Sequence, residues 1–438
     1  MAKSHARHGG CISLPAVKYQ NRVLGMLSLL AIITYLDRVC ISVAGPRMQA
    51  ELGIGPEAWG WVTGMFVLSY GIFEIPSGAL GDRIGPRKVL TRIVTWWSAF
   101  TALTGVVSNY YLLLVTRFCF GMGEAGAYPN AAAVIARWFP LKRRARTWGI
   151  VWMTSQLGGA MAPLLVVPIQ VHFGWRMSFY VFSVLGVIWA VAWYAWFRDS
   201  PAEMSGVSAA EREELKDTGP KANHAIPWGI ALRSRNLWTL MGIAACYVYA
   251  LYFFQSWFHT FLVKGRNFGE GDLWLSSLPY FVGAGANLLG GFASDGLVAR
   301  FGLKTGRRLV GLVGLGAAAL CVAATIVTTS GPWTLLFLSL AYGGMTLQQP
   351  GAAAVALDIG RTHAGVIYGF LNTAAQAGGF ISSVVFGYLV QHFGSYNAPL
   401  VPMVVTLVIG TFLWTRVDPT REIFAPADQP TVTEPLHV

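Results

Sequence analysis

Two long apolar segments are separated by the polar stretch Gly78-Ala79-Leu80-Gly81-Asp82-Arg83-Ile84-Gly85-Pro86-Arg87-Lys88. A weaker copy follows in the second half of the chain, as Gly291-Phe292-Ala293-Ser294-Asp295, Arg300-Phe301-Gly302 and Arg307-Arg308. Gly and Pro end helices and turn the chain. The stretch therefore indicates a tight polar loop between two helices, present once in each half of the chain.

Two more pairs of motifs support an internal repeat. Tyr128-Pro129-Asn130 in the first half corresponds to Gln349-Pro350-Gly351 in the second, and each is followed by three alanines. Gln156-Leu157-Gly158-Gly159 corresponds to Gln376-Ala377-Gly378-Gly379 in the same way. The three pairs come in the same order and at nearly equal offsets. Parallel repeats of this kind in a membrane protein pack about an axis along the membrane normal and place a binding site between them.

The composition excludes a soluble globular protein. Charged residues are 12% of the 438 residues, about half of the ~25% typical of soluble domains. Hydrophobic residues are 54%, and the mean hydropathy is +0.51. So much apolar surface needs a bilayer as a second solvent, which a helix crosses with about 20 apolar residues.

Twelve apolar stretches are long enough to be such helices, and we predict an all-α membrane protein. Strands of a membrane barrel would be about half as long and would alternate in polarity. We expect two pseudo-symmetric six-helix bundles, 23–197 and 236–415, joined by a cytoplasmic linker, 198–235, with cytoplasmic tails 1–22 and 416–438. The predicted spans are 23–45, 57–81, 89–108, 110–137, 147–172, 176–197, 236–262, 272–299, 307–330, 332–358, 362–391 and 396–415.

The distribution of positive charge predicts the orientation of these spans. With both termini inside, 26 of the 32 Lys and Arg residues fall in inner segments and 4 in outer loops, namely Arg47, Arg176, Lys264 and Arg266. Cytoplasmic loops carry such an excess of positive charge. The same pattern explains the net charge of +12 without nucleic acid, since the basic loops face anionic lipid.

The loop after span 2 resembles the signature of the major facilitator superfamily, and with the copy after span 8 the resemblance covers the whole chain. Within it, the anion:cation symporters, which include bacterial galactonate, hexuronate and glucarate transporters, are similar in three further stretches. The resemblance implies that Asp82, Arg83, Arg87 and Lys88 form a gating loop, with Asp295 as a weaker counterpart. The three stretches are Tyr35-Leu36-Asp37-Arg38, Arg117-Phe118-x-x-Gly121-x-Gly123-Glu124-Ala125 and Tyr252-Phe253-Phe254-Gln255-Ser256-Trp257.

Two adjacent charges in span 1 are the leading candidates for function. Charged groups within the membrane are costly and mark substrate or proton paths. Arg38 can hold a carboxylate with two parallel hydrogen bonds. Asp37 would carry a proton, because its proton affinity should rise when the substrate takes its counter-ion Arg38. The alternative is that the two charges simply neutralise each other.

The resemblance also assigns Glu124 to proton coupling and Arg117 to its support. Seven residues separate them, about 10 Å along a helix, so another partner for Glu124, or a water molecule, is implied. A structural ion pair is the alternative. Glu74 and His259 depart from the pattern, which more often has an uncharged polar residue and a proline there. Glu74 is a further titrating group or an inner-gate partner, and His259 alters the outer vestibule.

Neutral polar side chains at membrane depth suit a polyol, which needs many hydrogen-bond partners. Each could equally join two helices, and the aromatic rings could equally be packing. The predicted substrate contacts besides Arg38 are Tyr35, Tyr70, Gln156, Asn372, Gln376, Gln255 and Trp257.

The sequence therefore predicts a proton-coupled importer of a small organic anion, most simply a sugar acid, in the bacterial cytoplasmic membrane. It lacks an ATP-binding loop, a catalytic nucleophile motif and a metal-ligand set, so we expect no enzyme activity, cofactor or metal. We also expect a monomer. The alternatives are a transporter of aromatic or dicarboxylic acids, an uncoupled facilitator, and a membrane receptor or sensor. The linker and tails are too short for the output module that a sensor requires.

Overall fold

The computed structural model describes residues 18–204, 206–215, 228–360 and 364–423, and these residues are almost entirely helical. Most of the predicted tails and part of the predicted linker lie outside the described residues. The helices of the first half are α1 (Tyr19–Glu51), α2 (Pro56–Ile84), α3 (Pro86–Thr104), α4 (Tyr110–Glu124), α5 (Ala127–Trp138), α6 (Leu141–Phe173) and α7 (Trp175–Trp196).

The second half begins after a short connecting region. That region contains a 3₁₀ turn (Pro201–Glu203) and two short helices, α8 (Ala209–Glu214) and α9 (Trp228–Arg233). The seventh predicted span is α10 (Arg235–Tyr252), a π-helical segment (Phe253–Trp257), α11 (Phe258–Thr260) and a second π-helical segment (Phe261–Gly265). A 3₁₀ segment (Glu270–Ser277) leads to α12 (Leu278–Val327), α13 (Gly331–Leu347), α14 (Gln349–Gly360), α15 (Ala364–Phe393) and α16 (Leu400–Trp414).

Predicted spans 4 and 10 are each divided into two helices, a feature that the sequence analysis missed. α4 ends at Glu124 and α5 begins at Ala127, while α13 ends at Leu347 and α14 begins at Gln349. Pro129 and Pro350 explain both breaks, because proline has no N–H to donate to the carbonyl four residues earlier.

The backbone carries the internal repeat in a second way. Among the described residues, six have positive φ angles, and they form three pairs: Gly53 with Asn267, Gly85 with Gly302, and Gly174 with Gly394. The members of each pair occupy equivalent places in the two halves, at offsets close to those of the repeated motifs. Gly302 turns the chain within α12 and so separates predicted spans 8 and 9.

Packing within each half follows the same symmetry. A Cβ on Gly158 would lie 2.5 Å from the Ile32 carbonyl oxygen, where α6 meets α1. A Cβ on Gly378 would lie 2.3 Å from the Ala245 carbonyl oxygen, where α15 meets α10. Because glycine lets helix backbones approach this closely, the two bundles are built on equivalent contacts.

The lengths and compositions of the helices suit a membrane. Among the described residues, six helical segments are long and apolar enough to cross a bilayer, and Leu400–Trp414 is a shorter apolar helix. Exposed large apolar side chains lie along the outside of the bundle, including Ile188, Val191, Leu320 and Phe412. The helices account for all twelve predicted spans, with spans 4 and 10 each divided in two and spans 8 and 9 joined in α12, so the predicted all-α, twelve-span architecture is confirmed.

The two halves contact each other on the side that the charge pattern predicts to be outside. The Ser42 hydroxyl lies 2.9 Å from His259 Nδ1, and Gln49 donates to Thr260 at 3.2 Å. A Cβ on Gly387 would lie 2.3 Å from the Pro56 carbonyl oxygen, so α15 and α2 touch through their backbones. This side is closed.

The predicted inner side is more open. Trp148 and Trp152 of α6 are only half-buried, and Tyr368 and Thr373 of α15 are exposed although they belong to apolar helices. These positions are therefore less tightly packed than the contacts on the predicted outer side.

Candidate substrate and proton site

Arg38 and Glu124 form a buried ion pair at the centre of the first half. Arg38 Nε donates to Glu124 Oε1 at 2.5 Å, and Glu124 has no exposed surface. Glu124 is the last residue of α4, so the break before α5 places its carboxylate beside α1. Glu124 is too far from Arg117 along the helix to pair with it directly, and Arg38 is the partner that it has instead. The expected pairing of Asp37 with Arg38 is wrong, since neither Asp37 oxygen has a hydrogen-bond partner in the described part of the chain.

Aromatic rings hold the two buried guanidinium groups. The Arg38 guanidinium lies 4.7 Å from the centre of the Tyr70 ring and 5.4 Å from that of Phe66. The Arg117 guanidinium lies 5.0 Å from the same Phe66 ring and 4.6 Å from Phe120. Ring faces attract cations, so the Phe66 ring interacts with both positive charges.

Several polar atoms of this site are buried without a hydrogen-bond partner among the described residues. They are Arg38 Nη2, Glu124 Oε2, Arg117 Nε and both carboxylate oxygens of Asp37. Buried polar groups are nearly always hydrogen-bonded in proteins, and exceptions require an explanation. A bound anion would satisfy the guanidinium groups, and bound protons would remove the charge of the carboxylates.

A small cavity lies beside Arg38, at the boundary between the two halves. Its volume is about 10 Å³, room for about one water molecule, so the site is nearly closed in this structure. Its lining includes Arg38, Thr63, Phe66 and Arg117 from the first half and Tyr252, Gln255 and Ser256 from the second.

Of the other predicted substrate contacts, Gln255 lines this cavity, and several more contact residues that line it. The Arg38 guanidinium is 5.8 Å from the centre of the Tyr35 ring, and Gln255 is close enough to Tyr35 for a hydrogen bond. Gln376 accepts from the Tyr252 hydroxyl at 3.3 Å. Gln156 lies further along the interface between the halves and accepts from the Tyr342 hydroxyl at 3.1 Å.

Glu74 is brought to the same region from α2. Its carboxylate accepts a hydrogen bond from the Asn372 side chain on α15, so it spans the two halves. Glu74 is 7% exposed, and Arg38 is the positive charge that acts on it. It is therefore a third acidic group of the central site.

Trp257 does not support the predicted substrate contact. Its ring is fully buried and stacks on Phe386 at 4.7 Å between ring centres. Its Nε1 donates to the Ser383 carbonyl at 3.1 Å. The residue packs helices of the second half together.

Two of the predicted gating residues, Arg87 and Asp295, contact residues of their own half or of the start of the linker. Arg87 donates to the Tyr194 carbonyl at the end of α7, and its backbone N–H donates to Asp199 at 2.9 Å. Asp295 accepts from Arg307 at 3.2 Å, 12 residues further along α12. Arg83 and Lys88 are exposed, and the side chain of Asp82 lies outside the described part of the structure. A latch between the halves stays a prediction.

Three features of the site were not predicted from the sequence, namely Thr63, Phe66 and the interface role of His259. Phe66 lies four residues before Tyr70 on one helical face, but a phenylalanine in an apolar helix looks like ordinary packing. His259 Nδ1 contacts Ser42 across the interface, and its Nε2 lies 2.7 Å from the Ser276 hydroxyl. Within the described residues, no three His, Cys, Asp or Glu side chains are grouped to hold a metal.

The Major Facilitator Superfamily profile matches residues 27–383. The chain belongs to the Major Facilitator Superfamily. A protein of Cupriavidus necator described as a probable sulfoacetate transporter is 32% identical over 94% of this chain and 97% of its own length. The hexuronate transporter of Bacillus subtilis is 30% identical over 86% of this chain and 89% of its own length.

A solved structure has the same fold as this facilitator. It is a bacterial homologue of the human lysosomal transporter Spinster in an inward-facing, occupied conformation. The two chains superpose with a TM-score of 0.74 over 92% of this chain and 97% of the other, at 21% identity. The protein is a multi-pass membrane transporter and not an enzyme, as predicted.

Proposed function

We propose that this facilitator imports a small organic anion together with protons by alternating access, in the bacterial cytoplasmic membrane with both termini inside. The anion is a sugar acid such as a hexonate, hexuronate or aldarate. The observation that carries the proposal is the state of Arg38. Its Nε is bound by Glu124, while its buried Nη2, beside the cavity between the halves, has no partner in the described residues.

This geometry provides a route for coupling. Ionised Glu124 holds Arg38 by charge and by a hydrogen bond, so an anion must compete with it. Protonation of Glu124 removes that competition, and Arg38 can then bind a carboxylate with two parallel hydrogen bonds. Each ligand thereby favours binding of the other, and this reciprocity is what symport requires.

Asp37 provides a second proton site. Its oxygens are buried without hydrogen bonds among the described residues, and Arg117 is the positive group that acts on it. An ionised carboxylate in such surroundings is costly, whereas a protonated one is not. Binding of a proton to Asp37 would make the site more positive and would strengthen binding of the anion.

A small sulfonate is the second candidate for the cargo. The relative described as a probable sulfoacetate transporter matches nearly the whole chain, and a guanidinium can bind a sulfonate oxygen pair as it binds a carboxylate. Relatives described as a probable L-galactonate transporter and a probable galactarate/D-glucarate transporter support the sugar acids.

The test is uptake by purified protein in liposomes with an imposed pH gradient. The panel contains hexonates, hexuronates, aldarates, sulfoacetate, aromatic acids and the neutral parent sugars. We expect gradient-driven accumulation of an acid, and about 100-fold weaker uptake by Arg38→Gln, because losing the charged partner of a buried, hydrogen-bonded anion costs about 3 kcal/mol of binding free energy. Glu57→Gln, a change at an exposed carboxylate on the outer end of α2, is the matched control. Accumulation of a neutral sugar and of no acid would overturn the proposal.

A further inference from the structure

Glu74 occupies a defined place relative to Arg38. Thr63, Phe66, Tyr70 and Glu74 follow one face of α2 at helical spacing. The first two line the cavity, and Tyr70 packs against the Arg38 guanidinium. Glu74 lies one turn further towards the predicted inner side, about 6 Å along the helix axis.

In the second half, α15 places one polar side chain at the level of the cavity and another at the level of Glu74. Gln376 bonds the Tyr252 hydroxyl beside the cavity, and Asn372, one turn away on the same face of α15, donates to Glu74. In the proposed loaded state, a substrate whose acid group is held by Arg38 would bring its far end to Glu74 and Asn372 if its chain ran towards the predicted inner side. That end of the site offers a carboxylate acceptor and an amide.

The charges of the site now determine which anion fits. In the proposed loaded state, Glu124 and Asp37 are protonated and Arg38 and Arg117 are positive. If Glu74 is ionised while it accepts from Asn372, the site has one uncompensated positive charge, because Arg38 and Arg117 contribute two and Glu74 removes one. One negative charge on the substrate neutralises it, whereas a second would be placed beside a carboxylate.

Given the proposed binding of the anion to Arg38, we infer that Glu74 is a specificity-determining residue that selects hydroxylated monoanions and rejects dianions. A hydroxyl group at the far end of the substrate donates to Glu74. A second carboxylate or sulfonate there is repelled, and like charges brought together in a binding site cost affinity. The inference favours hexonates and hexuronates over aldarates and sulfoacetate.

Galactonate and galactarate form a matched pair of probes, because they share a carbon chain and differ in the oxidation of one end. In liposomes, uptake of labelled galactonate is inhibited by each unlabelled acid, and the ratio of the two half-inhibitory concentrations is compared between variants. The ratio is measured within one protein, so it is independent of expression and of the folded fraction.

We expect the wild type to prefer galactonate and Glu74→Gln to reduce that preference by about tenfold. Glu74→Asp keeps the charge and should keep the preference, and so should the exposed control Glu57→Gln. An unchanged ratio in Glu74→Gln, or an equal loss in Glu74→Asp, overturns the inference while leaving the proposed function intact. A wild type that transports neither acid nor any other anion overturns both.

Discussion

Gly60 lies where α2 meets α15 on the closed, predicted outer side, and replacing it should open that side. A Cβ at this position would lie 2.8 Å from the Ser383 carbonyl oxygen and 3.3 Å from Val384 Cα. Both are backbone atoms, which cannot rotate away as a flexible side chain can. Gly60→Ala must therefore push the two helices apart.

The size of the effect follows from the cost of overpacking, about 1–3 kcal/mol for an added methyl group in a tight interface. The contact joins the two halves, and they separate here in the outward-open conformation. The added methyl group therefore destabilises the closed conformation and not the open one. The ratio of closed to open molecules on the outer side should then fall by about 5- to 150-fold. The substitution also favours helix, so the helix itself is not weakened.

The assay is labelling of a single cysteine from the outside. Gln49→Cys in a background without native cysteines places a thiol at a buried position between the halves. A membrane-impermeant maleimide should label it several-fold faster when Gly60→Ala is added. Gly285→Ala is the matched control, because an added Cβ there meets no atom within 4 Å. Equal labelling rates in the two alanine variants would refute the reasoning.

Three further outcomes are expected. His259→Ala removes a buried side chain that joins the halves and should also speed outer labelling; an unchanged rate would show that His259 does not hold this side closed. Asp37→Asn should abolish uptake driven by a pH gradient while sparing exchange of labelled for unlabelled substrate; full concentrative uptake would exclude Asp37 as a proton carrier. Burial raises the pKa of Asp418, but hydrogen bonds from Lys304 and Thr420 outweigh it and lower the pKa to about 2. The resulting stability is present above the unfolded pKa of about 3.9 and is lost as the pH falls towards 2. Asp418→Asn should therefore lower the free energy of unfolding at pH 7 by about 1 kcal/mol, a value that allows for solvent screening, and thermal unfolding should show the loss shrinking below pH 4; a loss independent of pH would contradict this account.

The helices could be predicted from the sequence because a long apolar segment in a bilayer must satisfy its own backbone hydrogen bonds, which a helix does. The loop around Asp82 and its copy indicated the family because they combine turn residues and charges at fixed positions. The internal repeat was visible as three pairs of motifs at nearly equal offsets, and the positive-φ pairs, such as Gly85 with Gly302, show the same repeat in the backbone.

The pairing within the site could not be predicted. Asp37 and Arg38 are neighbours in sequence, but adjacent residues on a helix point in directions about 100° apart. Arg38 instead meets Glu124, 86 residues away, and that contact depends on how α1 packs beside α4. The π-helical turns around His259 were also missed, because their residues are as apolar as those of an ordinary helix.

The division of span 4 has a mechanical consequence. Pro129 leaves the carbonyl of Ala125 without its usual helical donor, so bending at this joint need not break a backbone hydrogen bond. Glu124 sits at the end of α4, directly beside the joint. If Glu124 gains or loses a proton as proposed, the change of charge occurs next to this joint. A small bend there displaces the far end of α5 by a larger distance than its near end.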